Sequence, residues 1–222
     1  MIEIIKTENA NAGIEKVASQ IISGLNSNKK VLWLLSGGSN IPISVEIMNM
    51  IHKEVSVHNI KNLTVTLTDE RFGDIDHADS NWKQLKDAGF DFSNINSMTV
   101  LQGLSFEETI SDYSKNVMQA MDIADLIIAQ LGIGNDGHIA GILSDSPAIS
   151  TSLTEFACGY DTAFFKRITL TFNALKKCDS LYAFAFGKPK KGIIDIIRNN
   201  RLIKLPVLII GEMKNFIVYT DQ

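Results

Sequence analysis

The sequence predicts a single α/β domain, residues 1–222, with a mostly parallel β-sheet covered by helices on both faces. Short apolar runs alternate with segments of helical periodicity along the whole chain, which favours a parallel sheet. No Pro/Ser-rich linker, low-complexity tract or internal repeat separates these segments. With 45% hydrophobic residues in a chain of 222, one full core can be buried as a single unit.

The N-terminal part alternates strands with helices. Residues 1–5 are strand-like, and four apolar residues then share one face of a first helix: Ile14, Val17, Ile21 and Leu25. The continuous apolar run Val31–Leu35 is typical of a strand buried on both faces of a parallel sheet. Residues 42–53 are predicted as a helix, because Pro42 near its first turn loses no needed hydrogen bond. Residues 63–68 form the next strand.

The C-terminal part continues the alternation. Ser105 followed by Glu108 is a capping box, which predicts a helix over residues 105–121. Further helices are predicted near Ser80, near Ala174 and over residues 189–198. The remaining apolar runs are predicted as strands: residues 99–101, 125–131, 167–172, 181–186, 207–210 and 217–219. This order is typical of doubly wound, Rossmann-like folds, in which ligands bind beyond the carboxyl ends of the strands.

Composition excludes several classes of function. The chain has 21 Lys and Arg against 25 Asp and Glu, and its basic residues come as isolated pairs, so no nucleic-acid partner is predicted. No apolar run approaches the roughly 18 to 20 residues that span a bilayer, so no membrane role is predicted. With only Cys158 and Cys178 and no signal-peptide pattern, the chain is expected to be cytoplasmic.

A glycine-containing loop, residues 36–40, follows the strand Val31–Leu35 and leads into the next helix. Gly37 and Gly38 let the backbone approach a ligand, and the free N–H groups and the Ser39 hydroxyl can donate to an anion such as phosphate. A tight turn alone explains the same two glycines. The loop lacks both the Walker sequence and the dinucleotide fingerprint, which disfavours nucleotide binding.

Charged residues follow the next strand. Asp69, Glu70 and Arg71 lie directly after residues 63–68, where they can orient hydroxyl groups, bind an oxyanion or hold one another. A solvated cluster of surface charges is the competing interpretation.

Two later segments supply positive charge. Arg167 begins a predicted strand, and Lys188, Lys190 and Lys191 lie in the turn that follows residues 181–186, at the start of a predicted helix. Lysines at a helix start are unfavourable to the helix dipole unless an anion offsets them, so phosphate is a natural partner. Ordinary surface cations are the alternative.

The most informative segment is residues 132–141, which contains four glycines directly after an apolar strand. Such a backbone bends sharply and admits a ligand, and the only ionisable groups in the bend are Asp136 and His138. Histidine is suited to general-base catalysis near neutral pH, and Asp136 can orient or stabilise it.

Five segments, taken in order, resemble the 6-phosphogluconolactonase family, part of a larger group that includes the glucosamine-6-phosphate deaminases. The segments are Ser36-Gly37-Gly38-Ser39, Asp69-Glu70-Arg71 with Ser80-Asn81, residues 132–140, residues 167–171, and Gly187 with Lys190. The resemblance implies that the chain hydrolyses 6-phosphoglucono-1,5-lactone without a metal or organic cofactor. The expected ligand is therefore a small phosphosugar lactone, and the expected assembly is a monomer or small homo-oligomer.

The resemblance also implies roles for individual residues. His138 would be the general base that activates water, and Asp69 and Asp136 would orient Arg71 and the base. The remaining groups would hold the phosphate: Ser39, Arg167, Lys190 and the N–H groups of Gly37 and Gly38. Arg71 would contact the substrate or the developing oxyanion.

Two other functions remain open. A glucosamine-6-phosphate deaminase shares the Gly-His-Ile-Ala segment but carries a catalytic Glu where this chain has Leu143, and an Asp-Glu-Tyr unit in place of Asp69-Glu70-Arg71. A non-catalytic phosphosugar sensor would need a DNA-binding module, for which the sequence has no basic patch. Three departures from the family pattern affect loop shape more than chemistry: Asn40-Ile41, Gly73-Asp74 and Ser144-Asp145.

Overall fold

The chain folds into two β-sheets in a computed structural model that describes residues 1–150, 152–199 and 204–222. The strands of these residues are β1 (Ile2–Lys6), β2 (Val31–Leu35), β3 (Leu63–Leu67), β4 (Asp69–Arg71), β5 (Asn96–Ser97), β6 (Leu126–Gly132), β7 (Ala157–Asp161), β8 (Lys166–Leu170), β9 (Ser180–Ala185) and β10 (Phe216–Thr220). Seven of them form one sheet in the order β1-β10-β9-β6-β2-β3-β5. Every pair in this sheet is parallel. The predicted α/β class with a parallel sheet is confirmed.

Helices connect the strands and flank the sheet. Within the described residues they are α1 (Asn11–Asn26), α2 (Ile41–Glu54), α3 (Val57–Ile60), α4 (Asn81–Asp87), α5 (Phe106–Ile123), α6 (Phe172–Leu175), α7 (Lys191–Arg198) and α8 (Pro206–Met213). The predicted capping box at the start of α5 is present, with Ser105 and Glu108 each bonded to the other's backbone. None of the helices in these ranges is long and apolar enough to cross a membrane.

The strand order creates a crevice between β2 and β6. From β2 the chain moves outward through β3 to β5, whereas from β6 it moves in the opposite direction through β9 to β10. The connections after β2 and β6 therefore diverge at neighbouring strands, which is where open α/β sheets bind ligands. The glycine-containing loop after β2 and the segment after β6 both begin at this point.

The second sheet has three antiparallel strands in the order β4-β8-β7. β4 follows β3 almost directly, so this sheet begins where the strand next to the β5 edge of the large sheet ends. Asp69 lies opposite Thr169, and Arg71 lies opposite Arg167. Because side chains alternate along a strand, these four project from the same face.

The core covers both faces of the central strands. Every residue of β2 is buried, and Trp33 is fully enclosed with its ring 5.8 Å from that of Phe90. The four apolar residues predicted to share a face of α1 are all buried. Full burial of such side chains stabilises the fold by roughly 1.5–3 kcal/mol each, so this core holds the strand ends in fixed positions.

Two predicted strands are wrong. Residues 207–210 lie within α8, which begins at Pro206 and is apolar on almost every side, so a short buried run did not distinguish helix from strand. Residues 99–101 are outside any strand; the edge strand is Asn96–Ser97, whose polar residues gave no apolar signal. Residues 167–172 belong mainly to β8 of the antiparallel sheet, and Phe172 already begins α6. The strands β4 and β7 were not predicted.

Candidate active site

A cavity of about 520 Å³ lies beyond the carboxyl ends of β2, β6 and β9 and against the small sheet. It brings together all nine residues to which the sequence analysis gave a role: Gly37, Gly38, Ser39, Asp69, Arg71, Asp136, His138, Arg167 and Lys190. Asn40, Asn81, Asn135 and Ala140 also contribute to its lining. Segments separated by up to about 150 positions in sequence therefore meet at one site.

The segment after β6 forms a tight turn that presents His138. The N–H of Gly134 donates to the carbonyl of His138 at 2.8 Å, and that of Gly137 donates to Gly134 at 3.0 Å. A Cβ on Gly134 would lie 2.1 Å from Nδ1 of the imidazole and 2.4 Å from Oδ1 of Asp136. Only glycine leaves room for this histidine–carboxylate pair.

His138 and Asp136 form a hydrogen-bonded pair at the cavity wall. Nδ1 of His138 lies 2.6 Å from Oδ1 of Asp136, and the imidazole is 35% exposed. An ionised carboxylate only accepts hydrogen bonds, so in the neutral ring Nδ1 carries the proton and Nε2 keeps its lone pair. Burial raises the pKa of Asp136, but the charge and hydrogen bonds of His138 outweigh this and hold it below its ordinary value. The carboxylate is therefore ionised at neutral pH.

Two arginines project from the small sheet into the cavity, each held differently. Nη1 of Arg167 donates to Oδ2 of Asp69 at 2.6 Å. Nη1 of Arg71 donates to the carbonyl of Asp79 at 2.9 Å and to Oδ1 of Asn81 at 2.5 Å. The carboxylate expected to orient Arg71 thus pairs with Arg167 instead, and Arg71 rests on neutral oxygens.

The loop after β2 forms another part of the cavity wall. It turns into a short 3-10 helix, Gly38–Asn40, that continues directly into α2. Within the described residues, the N–H groups of Gly37, Gly38 and Ser39 donate to no protein acceptor. A Cβ on Gly37 would lie 1.9 Å from Oδ1 of Asn81, so this position requires glycine. The loop presents unused donors at the start of a helix, which favours an anion.

Lys190 is the lysine of its turn that reaches the cavity. Its Nζ donates to the carbonyl of Ile133 at 2.6 Å, whereas Lys188 and Lys191 are exposed and do not line this cavity. Burial lowers the pKa of Lys190, and the nearby charge of Asp136 acts in the opposite direction.

The cavity has an excess of positive groups. Its lining has three basic side chains besides His138, and two carboxylates: Arg71, Arg167, Lys190, Asp69 and Asp136. Each carboxylate is already paired, with Arg167 or with His138. In the described residues, Arg71 and Lys190 have no carboxylate partner and remain available to an anionic ligand.

Glu70 and Asn81 have supporting positions that sequence reasoning did not assign. Glu70 is fully buried, and its oxygens accept from the backbone N–H groups of Arg71, Asn81 and Trp82 and from the Ser80 hydroxyl. Burial raises the pKa of Glu70, and these four hydrogen bonds oppose the effect. The sequence shows the Asp-Glu-Arg and Ser-Asn motifs, but only the structure shows that Glu70 of the first motif accepts hydrogen bonds from Ser80 and Asn81 of the second.

The part of the chain that the structure describes has no cluster of side chains suited to bind a metal ion. Among residues 1–150, 152–199 and 204–222, no group of three or more His, Cys, Asp or Glu side chains is placed to hold an ion.

Comparison with known proteins identifies the family. Residues 6–218 match the family model described as glucosamine-6-phosphate isomerases/6-phosphogluconolactonase. The chain belongs to this family. Among curated proteins similar to it is the 6-phosphogluconolactonase of Thermotoga maritima, 27% identical over 184 residues that cover 81% of this chain and 79% of that protein. The 6-phosphogluconolactonase of Helicobacter pylori strain J99 is 25% identical over 205 residues, 87% and 84% of the two chains.

Solved structures of the family share the fold. The crystal structure of the Thermotoga maritima 6-phosphogluconolactonase has a TM-score of 0.78 over 99% of both chains at 22% sequence identity. At this level of identity the match supports the fold.

Proposed function

We propose that this chain hydrolyses 6-phospho-D-glucono-1,5-lactone to 6-phospho-D-gluconate, a step of the oxidative pentose phosphate pathway. Family membership and the names of the similar curated proteins support a lactonase. The observation that carries the proposal is the arrangement of one cavity, in which an oriented, accessible imidazole shares the space with basic groups that lack carboxylate partners.

His138 acts as the general base. Its Nε2 takes a proton from water while the water oxygen attacks the lactone carbonyl, and a tetrahedral oxyanion forms. The ring C–O bond then breaks, and the imidazolium returns its proton to the leaving ring oxygen. General-base catalysis of this kind contributes roughly 10²- to 10⁴-fold in rate. Asp136 holds the ring in the tautomer that this step requires and stabilises the imidazolium.

The basic groups bind the phosphate and fix the position of the ring. Ser39 and the N–H groups of Gly37 and Gly38 donate to it from one wall, and Arg167 and Lys190 supply positive charge. Each hydrogen bond to a charged group contributes about 1.5–3 kcal/mol. Arg71 contacts the substrate or the developing oxyanion, because no carboxylate among the described residues neutralises it.

Leu143 argues against the deaminase alternative. A deaminase needs a carboxylate at this position, whereas the Leu143 side chain is apolar and packs against the core. It cannot transfer a proton.

The proposal is tested by following the disappearance of freshly prepared 6-phosphogluconolactone, with spontaneous hydrolysis subtracted. We expect strong acceleration by the wild-type protein and no release of ammonia from glucosamine 6-phosphate. Ammonia release would favour the deaminase. Tight binding of 6-phosphogluconate without any turnover would favour a sensor.

A further inference from the structure

The two cavity arginines are directly opposed on neighbouring strands. Arg71 of β4 is the register partner of Arg167 of β8, and both side chains project from the same face. Like charges placed opposite each other in a sheet are destabilising. Asp69 offsets one of the two guanidinium groups, so the arrangement needs a further source of stabilisation.

Phe165 provides an aromatic face for both guanidinium groups. Cζ of Arg167 lies 5.1 Å from the centre of its ring, and Cζ of Arg71 lies 5.7 Å from the same centre. Both distances are within the range of a cation–π interaction. Phe165 lies in the bend immediately before β8, two positions ahead of Arg167, and the two short distances place its ring beside both arginines.

The guanidinium groups have few other constraints. Nε of Arg71 and Nε of Arg167 are both buried, and neither has a hydrogen-bond partner among the described residues. Among the described residues, Nη1 is the only nitrogen of either group that donates a hydrogen bond, so Nε and Nη2 of both arginines have no protein acceptor. The Phe165 ring is a contact that the two groups share.

We propose that Phe165 is a positioning residue that holds Arg71 and Arg167 together in an anion-binding arrangement. An aromatic face suits this task better than another carboxylate. A carboxylate would neutralise the arginines and repel a phosphate, whereas a quadrupole attracts the cations and adds no net charge. The ring therefore stabilises the pair and leaves its positive charge available to the ligand.

The inference rests on the proposed function for its substrate, but its test does not depend on turnover. Two cation–π contacts of about 0.5–1 kcal/mol each correspond to roughly a 5- to 30-fold change in affinity. Phe165→Leu removes the aromatic face and keeps an apolar side chain, and Phe165→Met is a second substitution of this kind. Phe165→Tyr keeps the ring. Phe164→Leu is the matched control, because Phe164 is 92% exposed at the adjacent position.

Affinity for inorganic phosphate and for 6-phosphogluconate is measured by calorimetry on each variant, together with KM and kcat for the lactone and stability in urea. We expect Phe165→Leu and Phe165→Met to weaken both ligands and raise KM about 5- to 30-fold, with kcat changed much less. Phe165→Tyr should restore wild-type values, and Phe164→Leu should retain them.

Several results would overturn the inference. One is unchanged affinity of Phe165→Leu and Phe165→Met for phosphate and 6-phosphogluconate, even if the stability of these variants falls. Another is a tyrosine variant as weak as the leucine variant. A wild-type protein that binds neither ligand at millimolar concentration would also overturn it. If the wild type does not hydrolyse the lactone but Phe165→Leu still loses phosphate affinity, the proposed function fails and the role of Phe165 stands.

Discussion

Asp136→Asn isolates the contribution of the carboxylate to the proposed base. The wild-type carboxylate accepts from Nδ1 of His138 at 2.6 Å, and its side chain is 58% exposed. A hydrogen bond to a charged group contributes about 1.5–3 kcal/mol and a neutral one about 0.5–1.5, so the change loses about 1–1.5 kcal/mol, or roughly tenfold. The asparagine can also turn its NH₂ group toward Nδ1, which favours the tautomer that lacks a basic Nε2 and adds to the loss.

We therefore expect kcat/KM for the lactone to fall about 10- to 100-fold, less than for loss of the imidazole itself, because water partly replaces an exposed carboxylate. Stopped-flow measurement with fresh lactone gives the rate, and urea unfolding shows whether the variant is intact. Asp145→Asn is the matched control, because it removes the same charge from an exposed residue near the same segment. Wild-type activity of Asp136→Asn, or an equal loss in the control, would refute the reasoning.

Three further substitutions test the supporting structure. Gly37→Ala places a methyl group 1.9 Å from Oδ1 of Asn81, so it should displace that side chain. We expect the free energy of unfolding in urea to fall by about 1–3 kcal/mol and the binding of 6-phosphogluconate to weaken. A stable variant with normal affinity would contradict this. Asn81→Asp puts a carboxylate against Arg71 and neutralises its charge, so calorimetry should show about tenfold lower affinity for phosphate. Unchanged affinity would show that the free charge of Arg71 is unimportant for phosphate binding. Glu70→Gln turns an amide NH₂ toward backbone donors and should lower the free energy of unfolding by about 2–4 kcal/mol. The control Glu46→Gln, on the exposed side of α2, should change the free energy of unfolding by less than about 0.5 kcal/mol. Equal effects of the two substitutions would contradict the buried role of Glu70.

The parts of the fold that were predictable depend on local pattern. The run Val31–Leu35 and the capping box of Ser105 each act within a few residues, and both are present as expected. Residues 207–210 failed because a short apolar run fits a buried helix as well as a strand. The antiparallel sheet escaped notice because β4 is three residues long and pairs with a strand almost 100 positions later.

The candidate site likewise has features that the sequence predicts and contacts that only the structure shows. His138 and Asp136 stood out because they are the only ionisable groups in a glycine-rich turn, and they contact each other within that turn. The pairing of Asp69 with Arg167 joins residues 98 positions apart, so the sequence identified both groups but not their partnership. The contact of Phe165 with Arg71 was hidden for the same reason, because the two residues are distant in sequence.

The central claim is that the imidazole of His138 takes the proton from the attacking water. Its most direct test is the rate of lactone hydrolysis by His138→Gln, which keeps a polar side chain of similar size but has no basic nitrogen. The account predicts a fall in kcat/KM of about 10²- to 10⁴-fold with affinity for 6-phosphogluconate nearly unchanged. Hydrolysis at close to the wild-type rate by a folded, ligand-binding variant would contradict it.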